Sequence, residues 1–169
     1  MKKRIEEVLN QQINEELYSA YLYQAIRAYF ESIGLSGFSN WMKVQAEEEL
    51  FHAEKFFSHI VQRGGRIRLT AIKEPAFEWK NPLDAFKASL EHEKHITSCI
   101  HNLVSVAEEE KDYPSKTFLN WFVDEQVEEE DNVSKIVQEL EMIENDGKGL
   151  LMIDRELSSR TFTPPTNEE

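Results

Sequence analysis

The sequence has little of what several common kinds of site require. Its 169 residues include one cysteine, Cys99. A single thiol cannot form an intrachain disulfide, a zinc ribbon or a cysteine-ligated iron–sulfur cluster. We therefore expect a reducing compartment, the cytoplasm, and we expect Cys99 to be a small packed hydrophobe. The opening segment, MKKRIEEVLN, turns amphipathic and acidic too soon for the apolar part of an export signal.

Long apolar runs and basic surface are missing as well. No stretch approaches the roughly 18 apolar residues of a membrane-spanning helix. Lysine and arginine number 19 against 32 aspartates and glutamates, which gives a formal net charge of −13. Since binding to nucleic acid requires a basic surface to neutralise phosphates, nucleic acid is not an expected partner. A membrane is not expected either, because no long apolar run is present. The same charge attracts cations.

Glycine and proline are also scarce, at six and five residues, and this favours helices. Turn residues divide the chain into four long helices and a short fifth one, with Ser36 and Asn81 as predicted N-caps of the second and third. The predicted helices cover about residues 4–33, 37–63, 82–110, 114–145 (ending near Asn145) and 150–159. Residues 1–160 then form one domain, and residues 161–169, TFTPPTNEE, are predicted to be a disordered tail.

The connections between the helices predict the topology. The turns after the first and third helices are short, so these helices should pack as antiparallel pairs. Residues 65–81 join the second and third helices. A linker of this length can extend about 55 Å, which exceeds the length of a helix of about 42 Å. The expected fold is therefore an all-α four-helix bundle with one long crossover and a short C-terminal helix.

Each long helix has an apolar seam that is interrupted near its middle by residues of the kind that bind metal ions. The interruptions are Glu16, Glu49 with His52, Glu93, and Gln126 with Glu129. An isolated ionised carboxylate is costly to bury, so buried carboxylates are expected to be paired or bound to metal. No basic residue lies in the seams. Oxygen donors with one imidazole suit iron or manganese better than zinc or copper, and the pattern predicts a two-metal site.

Two other functions remain possible on the residues alone. In a structural or signalling bundle, the midline carboxylates would form a hydrogen-bonded network without metal. In a di-iron oxygenase or peroxidase, they would act on an organic substrate. The second alternative requires a substrate pocket, and the seams leave no obvious apolar gap for one.

Over essentially its whole length the chain resembles the non-haem ferritins of bacteria and archaea, which belong to the ferritin-like di-iron family. The matching segments are NEELYSAYLY (14–23), NWMKVQAEEELFHA (40–53), EHEKHIT (91–97), KDYP (111–114) and FLNWFVDEQVEEED (118–131). The resemblance implies a ferroxidase centre that binds two irons. The residues that match the first iron position are Glu16, Glu49 and His52. Those that match the second are Glu93 and Glu129, with Glu49 as the bridge and Gln126 beside it.

The resemblance also implies a third iron position and a tyrosine beside the centre. The residues that match the third position are Glu48, Glu125 and Glu128. The tyrosine is Tyr23, which could donate an electron or a hydrogen bond. A core tyrosine with a satisfied hydroxyl is the alternative interpretation of Tyr23.

Finally, the resemblance implies a function. Ferritins of this kind assemble into a hollow shell of twenty-four subunits, oxidise ferrous iron with dioxygen or hydrogen peroxide, and store ferric mineral. Haem is not expected, because Leu50 stands where bacterioferritins have their haem-ligating methionine. Bacterioferritins also repeat Glu-x-x-His in the fourth helix, whereas this chain has Gln126-x-x-Glu129. We therefore expect the second iron to be bound more loosely.

Overall fold

A computed structural model describes residues 1–144 and 146–164 of the chain. The helices are α1 (Lys3–Ser32), α2 (Ser36–Gln62), α3 (Pro82–Glu109), α4 (Tyr113–Met142) and α5 (Gly147–Leu157), and these described ranges contain no strand. The predicted all-α fold is confirmed. Helix α4 was expected to end near Asn145; it ends at Met142, and Asn145 itself lies outside the described residues.

The four long helices form two antiparallel pairs, α1 with α2 and α3 with α4. The crossover between α2 and α3 runs along the outside of α1 and is tied to it by side-chain amides. Asn10 donates through Nδ2 to the carbonyl of Arg66 at 3.0 Å and accepts through Oδ1 from the amide of Arg68 at 2.6 Å. Further along, Asn14 donates to the carbonyl of Ala71 at 3.2 Å. These contacts fix the path of the predicted long connection.

Helix capping confirms one predicted helix start and corrects another. Asn81 caps α3 as predicted, since its Oδ1 accepts from the amide of Asp84 at 2.8 Å. The prediction that Ser36 caps α2 is wrong, because Ser36 is already the first helical residue and no side chain of its own segment caps the helix. The cap comes from α5, where Asp154 Oδ1 accepts from the amides of Gly37 and Phe38 at 2.8 and 3.1 Å.

Gly37 explains why α5 can supply that cap. A Cβ atom at this position would lie 1.5 Å from the carbonyl oxygen of Asp154, so only glycine allows the two backbones to come this close. Asp154 of this short helix therefore satisfies two backbone amides that have no partner within α2.

Helix α5 begins earlier than predicted, at Gly147 and not at Leu150, and ends at Leu157, before the predicted Ser159. Its start is set by Asp146, whose Oδ2 accepts from the amide of Gly149 at 2.8 Å. Gly147 and Gly149 are helical because the capped first turn offsets the poor helix propensity of glycine. Residues 161–164 continue without helix, and residues 165–169 of the predicted tail lie outside the described residues.

The apolar core consists of two clusters, one on each side of a polar layer. One cluster contains Phe30 and Phe38, whose rings stack with centroids 5.1 Å apart. The other contains Phe56 and Phe122, stacked at 4.2 Å. These clusters hold the four helices in register, so that the middles of the four seams meet. None of the helices in the described ranges is long and apolar enough to cross a membrane.

Candidate metal centre

The seams converge on six polar residues that we call the carboxylate layer. Each of them is at most 4% exposed, although four are glutamates. Its first half comes from α1 and α2, and its second half from α3 and α4. The first half consists of Glu16, Glu49 and His52, and the second half of Glu93, Gln126 and Glu129.

The first half brings three possible ligand atoms together. Glu16, Glu49 and His52 each offer one atom, and all three atoms lie within 4.8 Å of one another. Glu49 and His52 are three residues apart on α2 and therefore face the same side of the helix. His52 Nδ1 lies 3.3 Å from Glu49 Oε2. This spacing leaves the three ligands close enough to share one cation.

Only one of the two carboxylate oxygens of Glu16 has a hydrogen-bond partner among the described residues. Its Oε1 accepts from Gln12 Nε2 at 2.9 Å, but its Oε2 is buried and has no hydrogen-bond partner among the described residues. Burial, together with the nearby charge of Glu49, raises the pKa of Glu16 well above its usual range. A buried oxygen without a partner costs about 1–3 kcal/mol, and a cation would remove that cost.

The second half is satisfied by neutral donors of the protein. Tyr23 donates its hydroxyl to Glu93 Oε1, and Gln126 Nε2 lies 3.3 Å from Glu93 Oε2. Gln45 donates to Glu129 Oε2 at 2.5 Å. Both carboxylates of this half therefore have hydrogen bonds without any metal ion.

The layer as a whole favours bound protons when no cation is present. Burial raises the pKa of Glu49 to about 7 and that of Glu93 to about 8, and it also raises the pKa of Glu129. Burial lowers the pKa of His52, but its contacts with Glu125 and Glu49 outweigh this effect and raise it well above the usual value. A metal ion entering the layer would replace these protons.

The three residues expected at a third iron position lie in different surroundings. Glu125 is closest to the layer, with Oε1 3.8 Å from His52 Nε2, and it forms a second possible ligand group with His52 and Glu129. Glu48 is paired with Arg160, whose Nη2 lies 2.5 Å from Glu48 Oε2. Glu128 is exposed.

Arg160 also reaches this site, although no pattern in the sequence places it there. Its Nη1 donates to Gln45 Oε1 at 2.8 Å, and Gln45 in turn donates to Glu129. The guanidinium lies 4.3 Å from the ring centre of Trp41, and Asn40 donates to the Arg160 carbonyl at 3.0 Å. Gln45 could have been found, because it lies in the α2 seam one turn before Glu49.

Comparison with known proteins agrees with this architecture. The sequence model of the ferritin-like domain matches residues 6–143, which is most of the chain. The protein therefore belongs to the ferritin family.

Within that family, the similar proteins are bacterial non-haem ferritins and archaeal ferritins. The bacterial non-haem ferritin of Staphylococcus aureus (strain USA300) is 38% identical over 162 residues, which cover 96% of this chain and 98% of the relative. An engineered closed form of the Archaeoglobus fulgidus ferritin is 52% identical, with a TM-score of 0.96 over 96% of this chain and 99% of that one. The open-pore ferritin of the same archaeon is 51% identical, with a TM-score of 0.95 over 95% and 99% of the two chains. These similarities confirm the family and the fold predicted from the sequence.

Proposed function

We propose that this protein stores iron and that the carboxylate layer oxidises ferrous iron before storage. The observation that carries the proposal is the first half of the layer, where Glu16, Glu49 and His52 converge and one buried oxygen of Glu16 lacks a partner. A cation completes this arrangement, since it satisfies that oxygen and offsets the charges of the glutamates. The names of the similar ferritins support iron as that cation.

In the proposed reaction, ferrous iron is the substrate and two ions react together. Glu16, Glu49 and His52 hold the first ion. Glu93 and Glu129 hold the second, with Glu49 between the two. Carboxylate oxygens favour the ferric state, so each ion gives up one electron. The two electrons, with two protons, reduce dioxygen to hydrogen peroxide or hydrogen peroxide to water.

The second half would also govern release of the product. Its carboxylates already accept hydrogen bonds from Tyr23, Gln126 and Gln45, so an ion there must compete with these donors. Weak binding at this position allows ferric iron to leave for storage. We assign Tyr23 the role of positioning Glu93, which its hydroxyl contacts directly.

The proposal also includes a third iron position beside the layer and assembly of the chain into a shell. Glu48, Glu125 and Glu128 would hold a third iron only after Glu48 gives up its pairing with Arg160. Stored ferric iron requires an enclosed space, and a homo-oligomeric shell of twenty-four subunits fits the similarity to known ferritins. A cytoplasmic location fits the single cysteine of the chain.

The deciding experiment is an anaerobic titration of the metal-free protein with ferrous iron, followed by exposure to air. The sample is first purified by size exclusion, so that the assembly is known, and absorbance is recorded during oxidation. We expect binding to saturate at two or three irons per chain, followed by rapid oxidation and by uptake of far more iron into a large particle. Absence of stoichiometric binding would overturn the proposed metal centre. Binding and oxidation without further uptake would instead indicate a di-iron enzyme.

A further inference from the structure

Another group of possible metal ligands lies outside the carboxylate layer, in the groove between α1 and α3. It consists of Glu15 from α1 and of His95 and Cys99 from α3. His95 and Cys99 are four residues apart and therefore lie on the same face of their helix. Glu15 neighbours Glu16 in sequence, but successive residues of a helix point about 100° apart, so Glu15 faces away from the layer.

The two distances from His95 to the other members of this group match those of a tetrahedral site. His95 Nε2 lies 3.3 Å from Glu15 Oε2 and 3.6 Å from Cys99 Sγ, and all three ligand atoms lie within 4.8 Å of one another. Tetrahedral zinc binds nitrogen and oxygen at about 2.0–2.1 Å and sulfur at about 2.3 Å, which separates neighbouring ligands by about 3.3–3.6 Å. The same nitrogen of His95 satisfies both distances.

The surroundings leave room for the ion and for a water ligand. A pocket of about 270 Å³ opens over the three side chains and is also lined by Gln11 and Gln12. Burial, together with the charges of Glu15 and Glu16, raises the pKa of the Cys99 thiol to about 11. The thiol is therefore neutral at physiological pH, and an incoming cation takes the place of its proton.

We propose that Glu15, His95 and Cys99 form a second metal site, which binds a divalent cation of the zinc class with water as the fourth ligand. One sulfur, one nitrogen and one oxygen donor suit Zn²⁺ or Co²⁺, whereas Mg²⁺ and Ca²⁺ prefer oxygen alone. The carboxylate layer has no sulfur ligand, so a signal from a metal-bound thiolate distinguishes the two sites. This site does not depend on the function proposed for the layer.

Cobalt provides a direct test, because Co²⁺ bound to a thiolate has a near-ultraviolet charge-transfer band that oxygen and nitrogen ligands do not produce. Cys99 is the only thiol of the chain, so any such band reports on this site. Titration of the assembled, reduced, metal-free protein with Co²⁺ should produce the band, with a final amplitude that corresponds to one thiolate-bound ion per chain. Addition of Zn²⁺ should remove it.

Variants separate a three-ligand site from a lone thiol. Cys99→Ser should abolish the band, and His95→Gln and Glu15→Gln should each weaken cobalt binding by at least about tenfold. The matched controls are Ser105→Ala, an exposed residue of α3 that does not line the pocket, and Glu49→Ala, which removes a ligand of the layer; both should retain the band. Absence of the band in the unaltered protein would overturn the proposal. So would unchanged affinity in both His95→Gln and Glu15→Gln.

Discussion

The two halves of the carboxylate layer are built from similar residues but are satisfied in different ways. In the first half, Glu16 has a buried oxygen without a partner, and Glu16, Glu49 and His52 converge within 4.8 Å. In the second half, Glu93 and Glu129 accept hydrogen bonds from uncharged side chains. The first half is therefore prepared for a cation, whereas the second half is stable without one.

This difference shows how one layer can bind two similar ions with different strength. An ion in the first half gains contacts that the protein does not provide itself, so binding removes an existing cost. An ion in the second half must replace hydrogen bonds that are already made, so part of its binding energy is lost. The asymmetry predicts ordered filling, with the first half occupied before the second.

The largest effect should come from Glu49, the residue of the first half that we propose as a ligand of both ions. In Glu49→Ala, both ions lose a ligand, so we expect rapid iron oxidation to fall by about 100-fold or more. Stopped-flow absorbance after mixing with ferrous iron measures the rate, and size exclusion should show an unchanged assembly. Glu54→Ala, an exposed glutamate on the same helix, is the matched control. A normal rate in Glu49→Ala would mean that the bridge is assigned wrongly.

Ordered filling can be tested by removing one carboxylate from each half. Glu16→Gln should weaken binding of the first ferrous ion by about 10–100-fold, because the side chain can no longer lose a proton and offer a carboxylate oxygen to the ion. Glu93→Gln should leave the first binding step unchanged and weaken only the second. Anaerobic calorimetric titration resolves the two steps. If the two variants gave the same binding curve, the two halves would be equivalent and the comparison would fail.

Much of this layer follows from the sequence, because helical periodicity is a local signal. The interruptions at Glu16, Glu49, Glu93 and Glu129 fall at seam positions, and seams of a bundle with short turns must meet. The structure buries all four at one level. The fold follows in the same way, since the few turn residues mark the ends of long helices.

The remaining contacts could not be predicted because they join residues that are distant in the chain. Asp154 caps α2 from 117 residues away, and Arg160 reaches Glu48 across 112 residues. Neither contact leaves a pattern within one helix, and both depend on where α5 packs. Gln45 is an intermediate case: its seam position was visible, but its donation to Glu129 depends on the facing helix.

The pH dependence of the metal-free protein should also reflect the buried carboxylates. The pKa values of Glu49 and Glu93 are raised by burial from 4.5 to about 7 and about 8. The folded state therefore retains protons that the unfolded chain has released. The contribution of these two protonated carboxyl groups to the free energy of unfolding is fully present below pH 4.5 and is lost as the pH rises through about 7 to 8. Calorimetric midpoints at pH 5 and pH 8 measure this change.

A variant with both Glu49→Gln and Glu93→Gln is the control for this prediction. Since glutamine does not titrate, its midpoint should depend less on pH across the same interval. Higher stability of the unaltered metal-free protein at pH 8 than at pH 5 would show that these carboxylates are ionised in the folded state.

A smaller effect on iron binding should follow from replacing Gln126, one of the hydrogen-bond donors of the second half. Gln126 donates to Glu93 Oε2 at 3.3 Å. In Gln126→Glu this donor becomes a further carboxylate, which should tighten binding of the second ion by about tenfold, or about 1.4 kcal/mol. The metal-free protein should lose about 1–3 kcal/mol of stability, because Glu93 loses a hydrogen bond. Tighter binding without loss of stability would show that Gln126 does not satisfy Glu93.

The smallest effect on iron binding should come from a change at Arg160. Outside the layer, its guanidinium competes with a cation for the carboxylate of Glu48. Its pairing with Glu48 is largely buried, and burial raises the pKa of Glu48 to about 7 although Arg160 lowers it, so the cost of desolvation offsets most of the attraction and we expect a net contribution of about 1 kcal/mol. In Arg160→Ala, Glu48 becomes available, and binding of a third ferrous ion should tighten by up to about fivefold, which corresponds to that energy. Anaerobic titration beyond two equivalents measures it, with exposed Arg155→Ala on α5 as the control. Weaker binding of the third ferrous ion in Arg160→Ala would contradict this expectation. It would mean that Arg160 supports the metal ligands through Gln45 and does not compete with the ion for Glu48.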